Sequence, residues 1–348
     1  MMEELTGPPA NPSSVHFFGA RAKRLLQAAR RTVADFFGAK PDEIIFTSGG
    51  TESLNLLLRG LPSGRILTSD LEHSAVHKTL QSLGHQITYI SPKNFGAATP
   101  QLIEAALLPD TKAIILCAAN NETGVKIDVL AIAALAQKRN IPLFLDAVSY
   151  IGKDPFPMHP GIAGVAFSGH KFHAPKGIGA LYLRAPTKLT PAITGGNQES
   201  LYRAGTENLA GAMGLAEALR ILSNDQTAIT EHLKSLQRHF ETELFKALPN
   251  LSINGSGPRI SNTSNISFGG CDGETLLLQL DLAGIATSLG SACSSGALEP
   301  SRVLINMGLD RKAAKASLRF SFSRQTTFDE VDQTLNILIP LVQKIRSL

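Results

Sequence analysis

AIILCAANNETGVKIDVLAIAALAQKRNIPLFLDA, residues 113–147, is the stretch on which the fold turns. AIILCA (113–118) and PLFLDA (142–147) are short apolar runs, and DVLAIAALAQKR (128–139) between them is amphipathic. Strand, helix and strand in that order predict a crossover between parallel strands. The alternation extends outward on both sides. IIF (44–46), RILTS (65–69) and ITYI (87–90) precede it, VAFS (165–168) and GALYL (179–183) follow it, and HSAVHKTLQSL (73–83) is a further helical stretch. This alternation predicts an α/β fold with a mostly parallel central sheet, which binds ligands at the carboxyl ends of its strands.

From about residue 226 the pattern changes. A long helical stretch (227–246) leads to short strands around SNISF (264–268) and ASLRFSFS (316–323), with helices between them and a last helix from Phe328. The expected division is a large α/β domain over residues 12–225 and a smaller α+β domain of residues 1–11 and 226–348, without a flexible linker. The length of 348 residues suits about two domains of roughly 150 residues each. No internal repeat or low-complexity tract is present.

With 43% hydrophobic and 18% charged residues, the composition excludes a largely disordered chain. The net charge of +4 comes from scattered residues rather than a patch. In ARAKRLLQAARR (20–31), Leu25 and Ala29 continue at helical spacing to Val33 and Phe37, which places the arginines on a solvated face. Four tyrosines, no tryptophan and no basic run interleaved with aromatics argue against nucleic-acid binding. No apolar run approaches the roughly 18 residues that span a bilayer, and MMEELTGPPANPSS has no basic segment followed by an apolar one. A cytoplasmic protein without a membrane partner is expected. The three cysteines, Cys117, Cys271 and Cys293, form no C-x-x-C pair, so neither a disulfide framework nor a cysteine-rich zinc site is indicated. Cys117 reads as a small buried side chain, whereas Cys293 lies among small residues in LGSACSSG.

The chemistry gathers around one lysine. In VAFSGHKFHAPKGIGALYLR a strand ends at Ser168, His170 and Lys171 follow, and Gly177 and Gly179 lead into the next strand. A lysine that forms a Schiff base with pyridoxal phosphate needs hydroxyl and imidazole donors nearby and a carboxylate to keep the pyridine nitrogen protonated. Asp146, at the end of an apolar strand, is the candidate carboxylate; a helix cap or salt bridge is the alternative reading. FTSGGTESLNLLLRG (46–60) runs from strand through a glycine pair to Thr51 and Glu52 opening a helix, an arrangement suited to a phosphate. It matches neither the P-loop nor the dinucleotide fingerprint. His73 with His77, and His170 with His173, have metal-ligand spacing, but no H-E-x-x-H base or third ligand accompanies them, so no metal is expected. His77 and His173 read as polar packing, and His16 as a cap for a helix beginning near Ala20.

With these residues in place, the chain resembles the cysteine desulfurases of the NifS/IscS type, within the fold-type I, class V aminotransferase-like group of pyridoxal-phosphate enzymes. The resemblance rests on NPSSVH (11–16), FTSGGTES (46–53), LEHSAV (71–76), NNETGV (120–125), LDA (145–147), SGHKFHAPKGIGALY (168–182), GGNQES and RAGTEN within 195–208, GSACSSGALEPS (290–301) and LRFSFSR (318–324), all in register. It implies Lys171 as the Schiff-base lysine, Asp146 as partner of the pyridinium nitrogen, His73 stacked on the cofactor, and Asn121 near its phenolic oxygen and the substrate. It implies that Gly50, Thr51, Ser168 and His170 hold the phosphate, that Thr206 reaches the phosphate of the other subunit of a homodimer, and that Arg319 grips the substrate carboxylate. Cys293 is implied as the persulfide carrier. The activity implied is removal of sulfur from L-cysteine, with Lys171 moving the Cα proton, to give alanine and an enzyme persulfide. That persulfide passes to an acceptor or scaffold protein for iron–sulfur cluster or thio-cofactor assembly.

Three departures from the family stand out. Its opening strand, with an LDNxATT-like segment, is absent from the sequence, and a truncation there is expected to remove a strand of the small domain and part of one wall of the site. Ser149 stands among the cofactor-binding residues where relatives carry glutamine; its shorter side chain leaves the phenolic oxygen to Asn121 or a water. Tyr202 stands where many relatives have arginine. A selenocysteine lyase and a cofactor-binding scaffold of weak activity are the alternatives; Lys171, Asp146, His73, Cys293 and Arg319 together argue against the scaffold.

Overall fold

A computed structural model of the chain describes residues 1–290 and 299–347. In chain order its elements are α1 (Met2–Thr6), α2 (Phe17–Phe36), β1 (Ile44–Thr47), α3 (Gly50–Gly60), β2 (Arg65–Ser69), α4 (Ser74–Ser82), β3 (Gln86–Ile90), α5 (Pro100–Ala106), β4 (Thr111–Cys117), α6 (Val129–Arg139), β5 (Leu143–Asp146), β6 (Ile162–Ser168), β7 (Gly179–Leu183), α7 (Leu209–Ala247), β8 (Leu251–Ile253), β9 (Thr263–Phe268), α8 (Gly273–Leu282), α9 (Arg302–Asn306), α10 (Arg311–Lys315), β10 (Ser317–Ser321) and α11 (Phe328–Arg346).

The crossover expected over residues 113–147 is β4–α6–β5. Asp128 caps α6 by accepting from Ala131 N at 3.0 Å, Val129, Ile132, Ala133 and Ala136 bury one face, and Asn140 at φ 56° stops it. Strands β4 and β5 then pair in parallel, with Cys117 opposite Asp146. The whole sheet has the order β1-β7-β6-β5-β4-β2-β3. Strand β7 is antiparallel to both its neighbours, and the pairs from β6 to β3 are parallel. Thr47 and Ser168 both register with Gly179, so the carboxyl ends of β1 and β6 meet at one edge of the sheet.

Helices cover both faces of this sheet. Ala22, Val33, Ile132 and Leu215 belong to the core on the α2, α6 and α7 side, and Leu54, Leu57, Val76 and Leu80 to that on the α3 and α4 side. A second sheet, β10-β9-β8, is antiparallel and shares a third core with α8, α11 and the end of α7 through Phe240, Phe268, Leu276 and Leu338. Among the described residues no helix is long and apolar enough to cross a membrane.

Two helices depart from expectation. The stretch expected over 227–246 begins at Leu209 and runs 39 residues, about 58 Å at 1.5 Å per residue. Its early turns, LAGAMGLAEA, carry two glycines and small side chains that weaken the helical signal, while Asn208 supplies the cap through Gly211 N at 2.9 Å. The boundary drawn at 225/226 falls inside this helix. Helix α2 starts at Phe17, with His16 Nδ1 accepting from Gly19 N at 3.3 Å, as a cap should. Its Arg30 leaves the solvated face expected of it: the guanidinium pairs with the buried Glu199 at 2.6 Å. Glu199 is 169 positions away in sequence, beyond the reach of helical periodicity.

Candidate active site

A cavity of about 580 Å³ opens at the shared carboxyl edge of the strands. Each strand delivers a different part of it. After β1, Gly50 and Thr51 open α3 on the cavity wall, and a Cβ on Gly50 would stand 2.4 Å from Val148 Cγ2, so glycine is required for this close approach. After β2, His73 caps α4 and faces the cavity. Strand β5 contributes Asp146, followed by Ser149, and β6 ends at Ser168, from which a single 3₁₀ turn, Gly169–Phe172, carries His170 and Lys171. Asn121 follows β4, and Arg319 enters from β10 of the second sheet.

The charges are arranged by burial. Asp146 is buried, which raises its pKa; the peptide N–H of Val148, donating to Oδ1 at 3.0 Å, and the neighbouring His73 and Lys171 oppose that rise. His73 Nδ1 accepts from Ala75 N at 3.1 Å, which leaves Nε2 to carry the ring proton. Ser168 Oγ and His170 Nδ1 are 3.0 Å apart, and His170 is held below the ordinary imidazole range by burial and by Lys171, Lys176 and Lys153. Beneath the floor, burial pushes Glu72 up to about 8, against the hydrogen bond of Ser69 Oγ at 2.6 Å. Cys117 lines the cavity, but burial and the carboxylates of Glu72 and Asp146 push its thiol well above the ordinary range, so it stays protonated.

On the opposite wall Arg319 Nη1 donates to the carbonyl of Asn121 at 2.7 Å, and its backbone pairs with Ser288. Glu122, buried beside it, accepts from Ser301 Oγ, and Arg302 donates to the carbonyls of Asp70 and Glu72. These bonds join the NNETG turn, the LEH turn and the start of α9 around one side of the cavity.

Ten residues anticipated from sequence thus line one space: Gly50, Thr51, His73, Asn121, Asp146, Ser149, Ser168, His170, Lys171 and Arg319. Thr206 does not. It lies exposed in the loop before α7, at a separate concavity of about 170 Å³ beside Arg203 and Gly205. Cys293 lies outside the described residues. The structure adds Lys153, His173 and Arg324 to the lining, none of which the sequence reading placed there. Gly152, immediately before Lys153, was the available signal, but its meaning depends on a tertiary contact with Phe172.

The aminotransferase class-V family model matches residues 1–334. Cysteine desulfurase 2 of Trichormus variabilis is 41% identical over 100% of this chain and 90% of its own length. Cysteine desulfurase IscS of Dictyoglomus turgidum is 39% identical over 97% of this chain and 89% of its own length. The solved NifS-like protein of Rickettsia africae superposes with a TM-score of 0.88 at 30% identity, covering 98% of this chain and 92% of that one.

Proposed function

We propose a division of labour around the cavity from the premise that this chain belongs to the aminotransferase class-V family and is a cysteine desulfurase. The residues fit pyridoxal 5′-phosphate as the family's cofactor. A primary amine and a buried carboxylate, Lys171 and Asp146, line the same cavity. Thr51, Ser168 and His170 line the same cavity as Gly50, where a side chain would collide with Val148. When bound, the cofactor supplies an electron-withdrawing ring that stabilises charge developing on the substrate Cα.

Lys171 would hold the cofactor through Nζ, and its amine would carry the proton to and from the substrate Cα. Asp146 would accept a hydrogen bond from the cofactor's ring nitrogen, whose positive charge would offset the cost of burying the carboxylate. His73, with Nδ1 fixed by Ala75 N, would hold the cofactor's ring, while Thr51, Ser168, His170 and the first turn of α3 would hold its phosphate. Asn121 and Ser149, in the lining of the same cavity, would hold the cofactor's phenolic oxygen. Arg319 takes the substrate carboxylate in a bidentate pair, its guanidinium already anchored by the Asn121 carbonyl. Cys293 Sγ, as a thiolate, attacks the sulfur of bound L-cysteine; the substrate C–S bond breaks, a persulfide forms on Cys293, and the protonated three-carbon remainder leaves as alanine. An acceptor protein then takes the sulfur for iron–sulfur cluster or thio-cofactor assembly.

The active assembly is a homodimer in which Thr206 reaches the partner's phosphate. Its exposure outside its own cavity supports that reading, as do the exposed Phe17 and Leu201. The observation that carries the whole assignment is the placement of Lys171 and Asp146 with His73 at one strand-end cavity, close enough that both Lys171 and His73 act on the carboxylate. Alanine and sulfide production from L-cysteine, with cofactor and a reducing thiol, tests it. The wild type is expected to make both, Lys171→Ala neither, and Cys293→Ser no sulfide while keeping the visible absorbance of the bound cofactor. A wild type that takes up no cofactor, or a Cys293→Ser variant with retained turnover, would overturn the assignment.

A further inference from the structure

The segment between β5 and β6 brings a second lysine into the cavity. Gly152, at φ +84°, approaches the turn carrying Lys171 so closely that a Cβ would stand 2.5 Å from Phe172 Cβ. Lys153 therefore runs directly beside that turn. Its Nζ donates to the main-chain carbonyl of Lys171, and its side chain lines the same space. The backbone of Lys153 is fixed independently, because its carbonyl accepts from Thr230 Oγ1 on α7 at 3.1 Å and from Ser261 Oγ at 2.7 Å. The neighbouring Asp154 is engaged by Lys126 and by Ser261 N, so it is not the counter-ion of Lys153.

We propose that Lys153 is a positioning residue for Lys171: it pins the peptide carbonyl of the turn and, by its charge, favours the neutral form of the Lys171 amine. The proposal deepens the reading of Lys171 as the cofactor lysine and rests on it. Two ammonium groups in one partly desolvated site repel, and the repulsion is relieved when one of them loses its proton. Other titratable groups face the same lysine. His170 and His173 flank Lys171 on its own turn, and Arg324 faces the same space from the segment after β10, as does Arg319 from β10 itself. Asp146 and His73 face Lys171 from β5 and the start of α4, with Asp146 opposing the cations. Lys153 itself is drawn down to about 8, first by burial and then by Lys171, and its charge also lowers His170 and His173. A lysine that must form a covalent bond through nitrogen needs the neutral amine, and a neighbouring ammonium that stays charged below about 8 enlarges that fraction near neutral pH.

Competitive acylation of the cofactor-free protein with acetic anhydride, read lysine by lysine by peptide mass spectrometry across pH, follows the Lys171 titration without any catalytic turnover. In Lys153→Met the neutral, acylatable fraction of Lys171 is expected to fall about tenfold below about pH 8, where the wild-type Lys153 carries its charge. Lys153→Gln should do the same, and Lys153→Arg, which keeps the charge, should hold the wild-type curve. Coincident Lys171 curves in wild type and in the two neutral variants would overturn the proposal, as would an arginine variant that behaves like the neutral ones. Because the labelling uses no cofactor, an unmoved curve counts against Lys153 alone. Absence of cofactor from Lys171 in the borohydride-reduced holoenzyme counts against the underlying assignment of that lysine.

Discussion

Arg319 presents a planar fork to its ligand, and lysine offers only a point charge, so the two are not interchangeable at a carboxylate site. Arg319→Lys is expected to raise KM for L-cysteine by about tenfold or more, from the loss of one charge-assisted hydrogen bond worth about 1.5–3 kcal/mol, and to change kcat less. An unchanged KM in steady-state assays would remove Arg319 from the substrate site. Glu72 makes a prediction about pH. Its pKa rises from 4.5 to about 8 on folding, chiefly through burial, so between those values the native protein holds a proton that the unfolded chain has released. The stability this contributes is fully present below 4.5 and is lost as pH rises through about 8. Glu72→Gln, neutral throughout, is expected to flatten the decline of Tm across that interval relative to wild type; parallel curves would contradict it. That Lys171 and Asp146 would meet at one cavity was legible in the sequence, because both stand at or just after the carboxyl ends of apolar strands. Lys153 and Glu72 were not, because what distinguishes them is desolvation and a contact with a distant turn.

At the scale of the element, the loop between β7 and α7 is the strained part of the molecule. Glu199, Ser200 and Leu201 have φ of 46°, 55° and 73° in succession with no glycine among them, a conformation costing about 1–3 kcal/mol per residue. Tertiary bonds hold it there. The Glu199 carboxylate accepts from Arg30 at 2.7 and 2.6 Å and from Phe46 N at 2.8 Å, while Arg203 ties the loop to Glu52 of α3 at 2.8 Å. Glu199→Ala strands the Arg30 charge in a poorly solvated setting and is expected to cost about 3–5 kcal/mol, measured by urea denaturation. A loss below about 1 kcal/mol would mean that the loop is held by other contacts. The sequence showed GGNQES and RAGTEN as motifs but not this backbone, since propensity carries no information about an ion pair made so far along the chain.

Over the whole molecule, α7 serves both sheets: Leu215, Leu219 and Leu222 pack in the core of the large sheet, and Leu236, Phe240 and Leu244 in that of the small one. The large sheet was readable because a strand–helix–strand crossover is a local pattern. The first half of α7 was not, because its Gly- and Ala-rich face is small in order to pack closely. The two sheets meet at the cavity, where Asn265 Nδ2 of β9 donates to the Glu122 carbonyl at 3.0 Å and Arg319 to that of Asn121. The surface beyond carries the proposed dimer contact. Leu201→Asp, at a side chain 60% exposed, is expected to shift sedimentation toward monomer and to weaken cofactor binding together. A variant that stays dimeric with unaltered cofactor affinity would place the interface elsewhere.

The central claim, that Lys171 carries the cofactor, is tested most directly by reducing the purified holoenzyme with borohydride and mapping its peptides by mass spectrometry. The account predicts the added mass of a reduced pyridoxal-phosphate group on the peptide containing Lys171. No adduct, or one confined to Lys153 or another lysine, would contradict it.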